Sequence, residues 1–161
     1  MPDDQRVDDA LSASFDGAPT AEDIDLLGAA VVRLTITPDQ PRAQIAVRLC
    51  DLAPDGASAL IAHGFLNLRH RNGHDAPIEL VPGKAVDVSL TLDQCAYRLP
   101  AGHKLRLSIS PSYWPFIWPE TVATTLTISA GAIDLPVRPL TTKAEWTFAE
   151  TEAAPALPNT Q

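Results

Sequence analysis

The sequence predicts an all-β fold in which two antiparallel sheets pack face to face, and three observations support this prediction. Apolar and polar residues alternate along several short segments, which is the period of a half-buried strand. The 15 prolines and eight glycines are spread over the 161 residues, so that turns separate many short elements. We expect about eight or nine strands at a spacing of roughly 8–12 residues, which is typical of a β-sandwich.

The first half of the chain predicts three strands and one hairpin. Residues 29–37 (AAVVRLTIT) are rich in β-branched side chains, and residues 42–51 alternate between apolar and polar side chains. The DLAPDG motif at 51–56 predicts a tight turn, because proline presets φ and glycine accepts a positive φ. Residues 57–69 then return as a strand that we expect to be bulged or broken at Gly64.

The second half predicts four further strands. Residues 84–93 alternate most regularly, and residues 104–110 (KLRLSIS) repeat this pattern after a Pro-Ala-Gly turn. Residues 122–129 (VATTLTIS) and 133–137 follow as two further strands, and Pro136 and Pro139 close the second of them. In the strand at 84–93, we expect four side chains to point inward, namely Val86, Val88, Leu90 and Leu92.

A chain of this length corresponds to one domain, and its composition changes at both ends. Residues 1–20 are polar and acidic and predict a linker or arm, whereas residues 21–140 form the predicted β-sandwich domain. The segment 20–30 (TAEDIDLLGAA) begins like a capped helix, but the β-branched run after it favours a strand. Residues 141–161 are expected to be an extended or disordered tail, because their end is rich in alanine, proline and glutamate.

The charge and the cysteine content exclude several functions and indicate a location. A net charge of −8 disfavours nucleic acid and anionic membrane surfaces as partners. The sequence shows neither an apolar run of transmembrane length nor the pattern of a signal peptide. Cys50 and Cys95 lie outside any CxxC motif, which favours two free thiols in a reducing cytoplasm, with a single bridge as the alternative.

Catalytic and metal-binding motifs are absent or weak. No G-x-S-x-G, H-E-x-x-H, P-loop or G-x-G-x-x-G motif occurs. His70, His74 and Asp75 surround a turn and allow a metal site, although a solvated turn explains them better. The carboxylates of Asp51 and Asp55 allow a calcium site in the same way, but turn chemistry is again the simpler explanation. We therefore expect neither a metal nor a cofactor.

The aromatic run after residue 110 has the strongest functional character. It contains Tyr113, Trp114, Phe116 and Trp118, and its prolines exclude a regular strand. Flat aromatic faces in a loop suit the stacking of a sugar or another ligand. The same residues also suit an apolar knob that docks on a protein surface, and we favour this interpretation because few hydrogen-bonding side chains accompany them.

Four segments together resemble the carboxy-terminal non-catalytic domain of the X-prolyl dipeptidyl aminopeptidase and cocaine-esterase (CocE/NonD) family. They are DIDLLGAAVVRLTITPDQPRAQIAVRLCDLAPDGAS, GFLNLRHR, LVPG and PAGHKLRLSISPSYWPFIWPE, and the resemblance runs from about residue 15 to residue 139. It implies a jelly-roll β-sandwich of galactose-binding-like type. In that family an α/β-hydrolase domain carries the Ser-Asp-His triad, so the resemblance supplies no catalytic residue for this chain.

The resemblance also implies a partner and a surface. The chain is expected to pack on an α/β-hydrolase catalytic domain of a peptide or ester hydrolase and to shape its substrate pocket. Arg69 and His70 join the four aromatic residues as candidates for this surface, which serves as an interface or as a pocket wall. A stand-alone carbohydrate- or small-ligand-binding module is the alternative. We further expect the chain to be a fragment of a longer hydrolase, with an exposed sheet edge through which it could form a homodimer.

Overall fold

The computed structural model describes residues 4–139 and 149–150, and these form an all-β sandwich with very little helix. The described elements are α1 (Arg6–Ala10), β1 (Ala13–Asp16), β2 (Ile24–Pro38), β3 (Gln44–Leu52), β4 (Ser58–Asn67), a 3-10 turn (Leu68–His70), β5 (Val86–Leu99), β6 (Lys104–Ser110), β7 (Leu126–Asp134) and β8 (Val137–Arg138). The prediction of an all-β sandwich is confirmed.

The strands form two antiparallel sheets. The first sheet has the order β1-β6-β3-β4, and the second has the order β5-β2-β7, with β8 also paired to β2. The long strand β2 therefore organises the second sheet, and β3 and β6 form the middle of the first. Strands that are distant in sequence, such as β3 and β6, become direct neighbours.

The hydrophobic core lies between the two sheets and follows the predicted alternation. Ile45, Val47 and Leu49 of β3 face inward and are completely buried. The inward-facing residues of β5 meet them from the second sheet, as predicted; they are Val86, Val88, Leu90 and Leu92. Each fully buried side chain of this size stabilises the fold by roughly 1.5–3 kcal/mol.

Gly64 lies where the two sheets approach each other along β4 and β5. A Cβ atom at this position would stand 2.9 Å from Leu92 Cδ2 and 3.2 Å from the Thr91 carbonyl oxygen, so a larger residue would require Leu92 and the β5 backbone to shift. The prediction of a bulge or break at Gly64 is wrong, because the residue pairs regularly with Val47. The extra residue is Ile61, which lies between the paired residues Leu60 and Ala62 and bulges β4.

Among the described residues, the opposite side of the sandwich is open. A cleft of about 430 Å³ lies there between β1 and β6 of the first sheet and β7 of the second. We call it the open cleft. Its lining is mainly apolar and includes Phe15, Leu105, Leu107, Ile128 and Ile133.

The amino-terminal residues differ from the predicted arm. Residues 6–10 form the short helix α1, and β1 pairs with β6 as an outer strand of the first sheet. Apolar periodicity could not reveal this segment, because polar side chains hold it in place: Asp16 accepts hydrogen bonds of 2.7 and 2.9 Å from the Arg106 guanidinium. The predicted tail, residues 141–161, lies outside the described residues except for Ala149 and Glu150.

The other boundaries shift modestly. β5 continues to Leu99, well beyond the predicted end at residue 93. The strand predicted at 122–129 is β7 and begins only at Leu126. The turn glycines behave as predicted at two hairpins, where Gly56 has a φ of 89° and Gly102 a φ of 83°.

Candidate docking surface

The loop between β6 and β7 places three large aromatic side chains on the surface. Trp114 is 64% exposed and Trp118 is 79% exposed, and their rings meet edge to face at 5.3 Å. Phe116 is also exposed. We call these three residues the aromatic surface. Large exposed aromatic groups that lie together mark interaction sites on soluble proteins.

Tyr113, the fourth predicted residue, is buried and anchors the loop. Its ring stacks on Phe116 at 5.0 Å with an interplanar angle of 9°. Its hydroxyl donates a 3.1 Å hydrogen bond to Gln5 Oε1, and the Arg48 guanidinium lies 4.9 Å from the ring centroid. Tyr113 therefore supports the aromatic surface from below and is not part of its exposed area.

Two residues of β4 that the sequence analysis did not assign to the site complete this support. The His63 ring contacts Phe65 at 4.9 Å and Phe116 at 5.4 Å, and Phe65 stacks on Tyr113 at 6.1 Å. His63 Nδ1 also lies 3.0 Å from Asp93 Oδ2. The spacing of His63 and Phe65 could have indicated this support, because residues two apart in a strand share one face.

Hydrogen bonds fix the loop in one conformation. The Ile117 N–H donates to the Tyr113 carbonyl at 3.0 Å, and Gln44 Nε2 donates to the Trp118 carbonyl at 2.7 Å. The Ser110 hydroxyl donates to the Ser112 carbonyl at 2.7 Å. A surface that is ordered before binding loses less conformational entropy when a partner arrives.

Arg69 and His70 occupy the 3-10 turn after β4. The ring contact of His70 is with His74 at 5.3 Å, and His63 is the histidine that contacts the loop. Arg69 Nε and His70 Nδ1 are buried without a hydrogen-bond partner among the described residues. Their membership of the docking surface remains a prediction.

A buried polar network lies beside Tyr113 on the outer face of the first sheet. Arg48, in the middle of β3, is only 1% exposed and donates to Gln5 Oε1 at 3.0 Å and to Ser12 Oγ at 2.9 Å. Its guanidinium also lies 3.2 Å from the carboxylate of Asp9, which is itself buried. The charge of Arg48 is therefore compensated by the amino-terminal segment.

Asp9 connects that segment to β3, through Arg48, and to β4 and β6. It accepts 2.7 Å hydrogen bonds from Ser58 of β4 and Ser108 of β6, and a 3.3 Å bond from Arg106. The adjacent Asp16 and Asp9 carboxylates raise the pKa of the Arg106 guanidinium above its usual range. Buried charges persist in proteins when they are paired and hydrogen-bonded in this way.

A second hydrogen-bonded group at the end of β3 resembles part of a catalytic triad. His103 Nδ1 lies 2.7 Å from Asp51 Oδ1, and the Tyr97 hydroxyl donates to Asp51 Oδ2 at 2.7 Å. Burial and the Asp51 carboxylate raise the pKa of Tyr97 to about 12. Within the described part of the chain, no serine or cysteine hydroxyl or thiol bonds to His103, so this arrangement ties the two sheets and the turn together.

The thiols and the acidic groups give no indication of chemistry. Cys50 and Cys95 are free, and burial raises the pKa of the Cys50 thiol to about 12, which is unsuited to a nucleophile. Between residues 4 and 139, no three histidine, cysteine, aspartate or glutamate side chains are placed to hold a metal ion. No described helix is long and apolar enough to span a bilayer.

Comparison with known proteins identifies the kind of domain. The family model described as the X-Pro dipeptidyl-peptidase C-terminal non-catalytic domain matches residues 2–154. The "Putative serine esterase Mb1866c" of Mycobacterium bovis is 27% identical over 157 residues, which covers 83% of this chain and 25% of the relative. The "Putative Xaa-Pro dipeptidyl-peptidase" of Streptomyces avermitilis is 26% identical over 160 residues, covering 74% of this chain and 24% of the relative.

Solved structures show the same fold. An α-amino acid ester hydrolase superposes with a TM-score of 0.78 at 19% identity, covering 84% of this chain and 27% of that one. A CocE/NonD family hydrolase from Staphylococcus aureus gives a TM-score of 0.67 at 17% identity, covering 79% and 30% of the two chains. This chain thus spans about a quarter of the length of the curated relatives it matches.

Proposed function

Because this chain belongs to the X-Pro dipeptidyl-peptidase C-terminal non-catalytic domain family, we propose that it packs on an α/β-hydrolase catalytic domain and shapes the substrate pocket of a peptide or ester hydrolase. The observation that carries this proposal is the aromatic surface. Trp114 and Trp118 remain largely exposed although the loop beneath them is held by ring stacking and hydrogen bonds. Rigid, exposed tryptophans are the residues that dominate protein interfaces.

The finer architecture and the location form part of the same proposal. Two facing antiparallel sheets whose neighbours are distant in sequence support a jelly-roll sandwich of galactose-binding-like type. Two free thiols, one in β3 and one in β5, support a reducing compartment such as the cytoplasm.

A chimeric enzyme tests the proposal. In it this chain replaces the matching quarter of the Streptomyces avermitilis relative. Activity is measured as hydrolysis of Gly-Pro-p-nitroanilide. We expect a W114A/W118A variant to lower kcat/KM at least about tenfold, because buried interface tryptophans contribute on the order of 2 kcal/mol each. Val81→Ala, which removes another exposed apolar side chain, is the matched control and should retain full activity.

The stability of the isolated chain separates docking from folding. Trp114 and Trp118 are exposed, so their replacement should leave the urea midpoint of the isolated 161-residue chain nearly unchanged. An active chimera whose kcat/KM is unaffected by the double substitution would contradict docking through the aromatic surface.

A further inference from the structure

The open cleft exposes part of the hydrophobic core along one side of the sandwich. Its volume of about 430 Å³ and its apolar lining resemble a binding site more than a packing defect. Phe15 at its rim is half exposed, while Leu105 and Leu107 of β6 are only partly buried although they point towards the core. Exposure of such an apolar surface to water is unfavourable in free energy, and a partner that covers the surface removes this contribution.

The strand β7 borders the open cleft and is an edge strand within the described sheets. It pairs with β2 on one side, with a bulge at Ser129, and it contains no proline. Its single charged residue, Asp134, lies at its end and is paired with Arg33. The other edge of the second sheet, β5, carries Asp87, Asp93 and Arg98. Charges and prolines are the usual protection of a free edge, so β7 has the composition of a strand that is normally paired.

We propose that the open cleft and the edge of β7 receive one extended strand from the hydrolase polypeptide outside this domain. Its backbone would continue the second sheet beyond β7, and its alternate apolar side chains would enter the cleft. This inference rests on the proposed function. The length of the relatives supports the choice of occupant, because the match covers 25% of the Mycobacterium bovis protein and leaves three quarters of that polypeptide outside it.

A second copy of this chain fits the cleft less well. An antiparallel pair of β7 strands would bring only small side chains to the interface centre, namely Ser129, Ala130, Gly131 and Ala132. Such side chains cannot fill a cleft of this size. Two copies would also each carry a net charge of −8, which opposes their association.

Hydrogen exchange of β7 tests the inference. The isolated 161-residue chain is compared with the chimeric enzyme described above. We expect the β7 N–H groups that point away from β2 to exchange at least about 100-fold more slowly in the chimera, because a new ladder protects them. The β5 edge, Val86–Leu99, serves as the internal control and should exchange equally in both proteins.

Two matched variants connect the protection to the cleft. Phe15→Asp places a charge at the rim of the cleft, on a side chain that is already half exposed, and should remove most of the β7 protection in the chimera. Val81→Asp makes the same change on an exposed loop and should leave the protection intact.

Each other outcome overturns the inference. Equal exchange in the two proteins means that no strand from the hydrolase pairs with β7. If the β7 N–H groups of the isolated chain are protected and the protection rises with protein concentration, a second copy pairs with this edge. If that protection does not depend on concentration, another part of this chain pairs with it. The proposed function is judged separately by kcat/KM of W114A/W118A. If that variant loses activity but the chimera shows no β7 protection, only the proposed strand pairing is refuted.

Discussion

The two faces of the first sheet are both covered, but by different chemistry. On the inner face, Val47 and Leu49 of β3 pack in the apolar core between the sheets. On the outer face, Arg48 lies equally deep and is surrounded by Gln5, Asp9 and the ring of Tyr113. One strand is thus buried on both sides, once by non-directional contacts and once by hydrogen bonds and ion pairs that require defined geometry.

This difference shows that the outer face depends on specific pairs of interacting side chains. An apolar face loses stability in proportion to the surface removed, whereas a polar network fails when a single member leaves another charge unpaired. The outer face also supports the aromatic surface through Tyr113, so the network bears on the proposed docking as well as on folding.

The largest effect is expected for Arg48→Ala. It removes one of the two counter-charges of the buried Asp9 carboxylate, the other being Arg106, and should lower the free energy of unfolding by roughly 3–5 kcal/mol, measured by urea denaturation. A double variant, Arg48→Met with Asp9→Leu, removes both charges and should regain most of that loss. If the double variant is as unstable as the single one, the outer face does not depend on charge pairing.

Leu49→Ala makes the corresponding change on the inner face. It should cost roughly 2–5 kcal/mol, because it leaves a cavity between the sheets. Leu52→Ala, at the partly buried end of the same strand, is the control and should cost less. Equal losses at the two positions would show that the inner face relaxes around the cavity and is not tightly packed.

A smaller, pH-dependent effect is expected for Asp16→Asn at the rim of the network. The Arg106 guanidinium holds the pKa of the Asp16 carboxyl below its ordinary value of 3.8. A lowered folded-state pKa means that the carboxylate stabilises the fold at neutral pH and that this contribution disappears as the pH falls through that pKa. The variant should therefore be less stable by up to about 1 kcal/mol at pH 7 and equal to the parent in strong acid. A difference that is the same at both pH values would argue against the ion pair.

The smallest effect concerns the thiols, which report on burial without altering the fold. Burial raises the pKa of Cys50 to about 12 and also raises that of the more accessible Cys95. Ellman's reagent at pH 8 should label Cys95 first and Cys50 only on unfolding. The Cys95→Ser variant should abolish labelling of the folded chain, and persistent labelling of that variant would show that the outer face opens near Cys50.

The inner face could be predicted from the sequence, and the outer face could not. The alternation at 84–93 and 104–110 identified core strands, because burial of an apolar face imposes a period of two. Asp9 and Gln5 lie in a segment that resembles a solvated arm, since nothing in a single sequence tells a buried acidic residue from an exposed one. Arg48, set between apolar residues of β3, was a sign that its face meets a polar partner.

The candidate surface was predictable in part for the same reason. The prolines predicted a loop at 113–118, but they did not show which of its aromatic side chains are exposed. The burial of Tyr113 depends on contacts with Gln5 and Phe65 that are far away in sequence. Likewise, the open cleft results from how β1, β6 and β7 are arranged, and strand assignment alone does not give strand order.

The position of Arg48 also determines which strand alignments the chain can adopt. A shift of β3 by one residue would turn every side chain to the opposite face and place the guanidinium among leucines and valines, away from the Asp9 carboxylate. Burying an unpaired charge there would cost several kcal/mol. The same shift would move Ile45, Val47 and Leu49 out of the core, so the buried ion pair and the apolar alternation of β3 favour the same register.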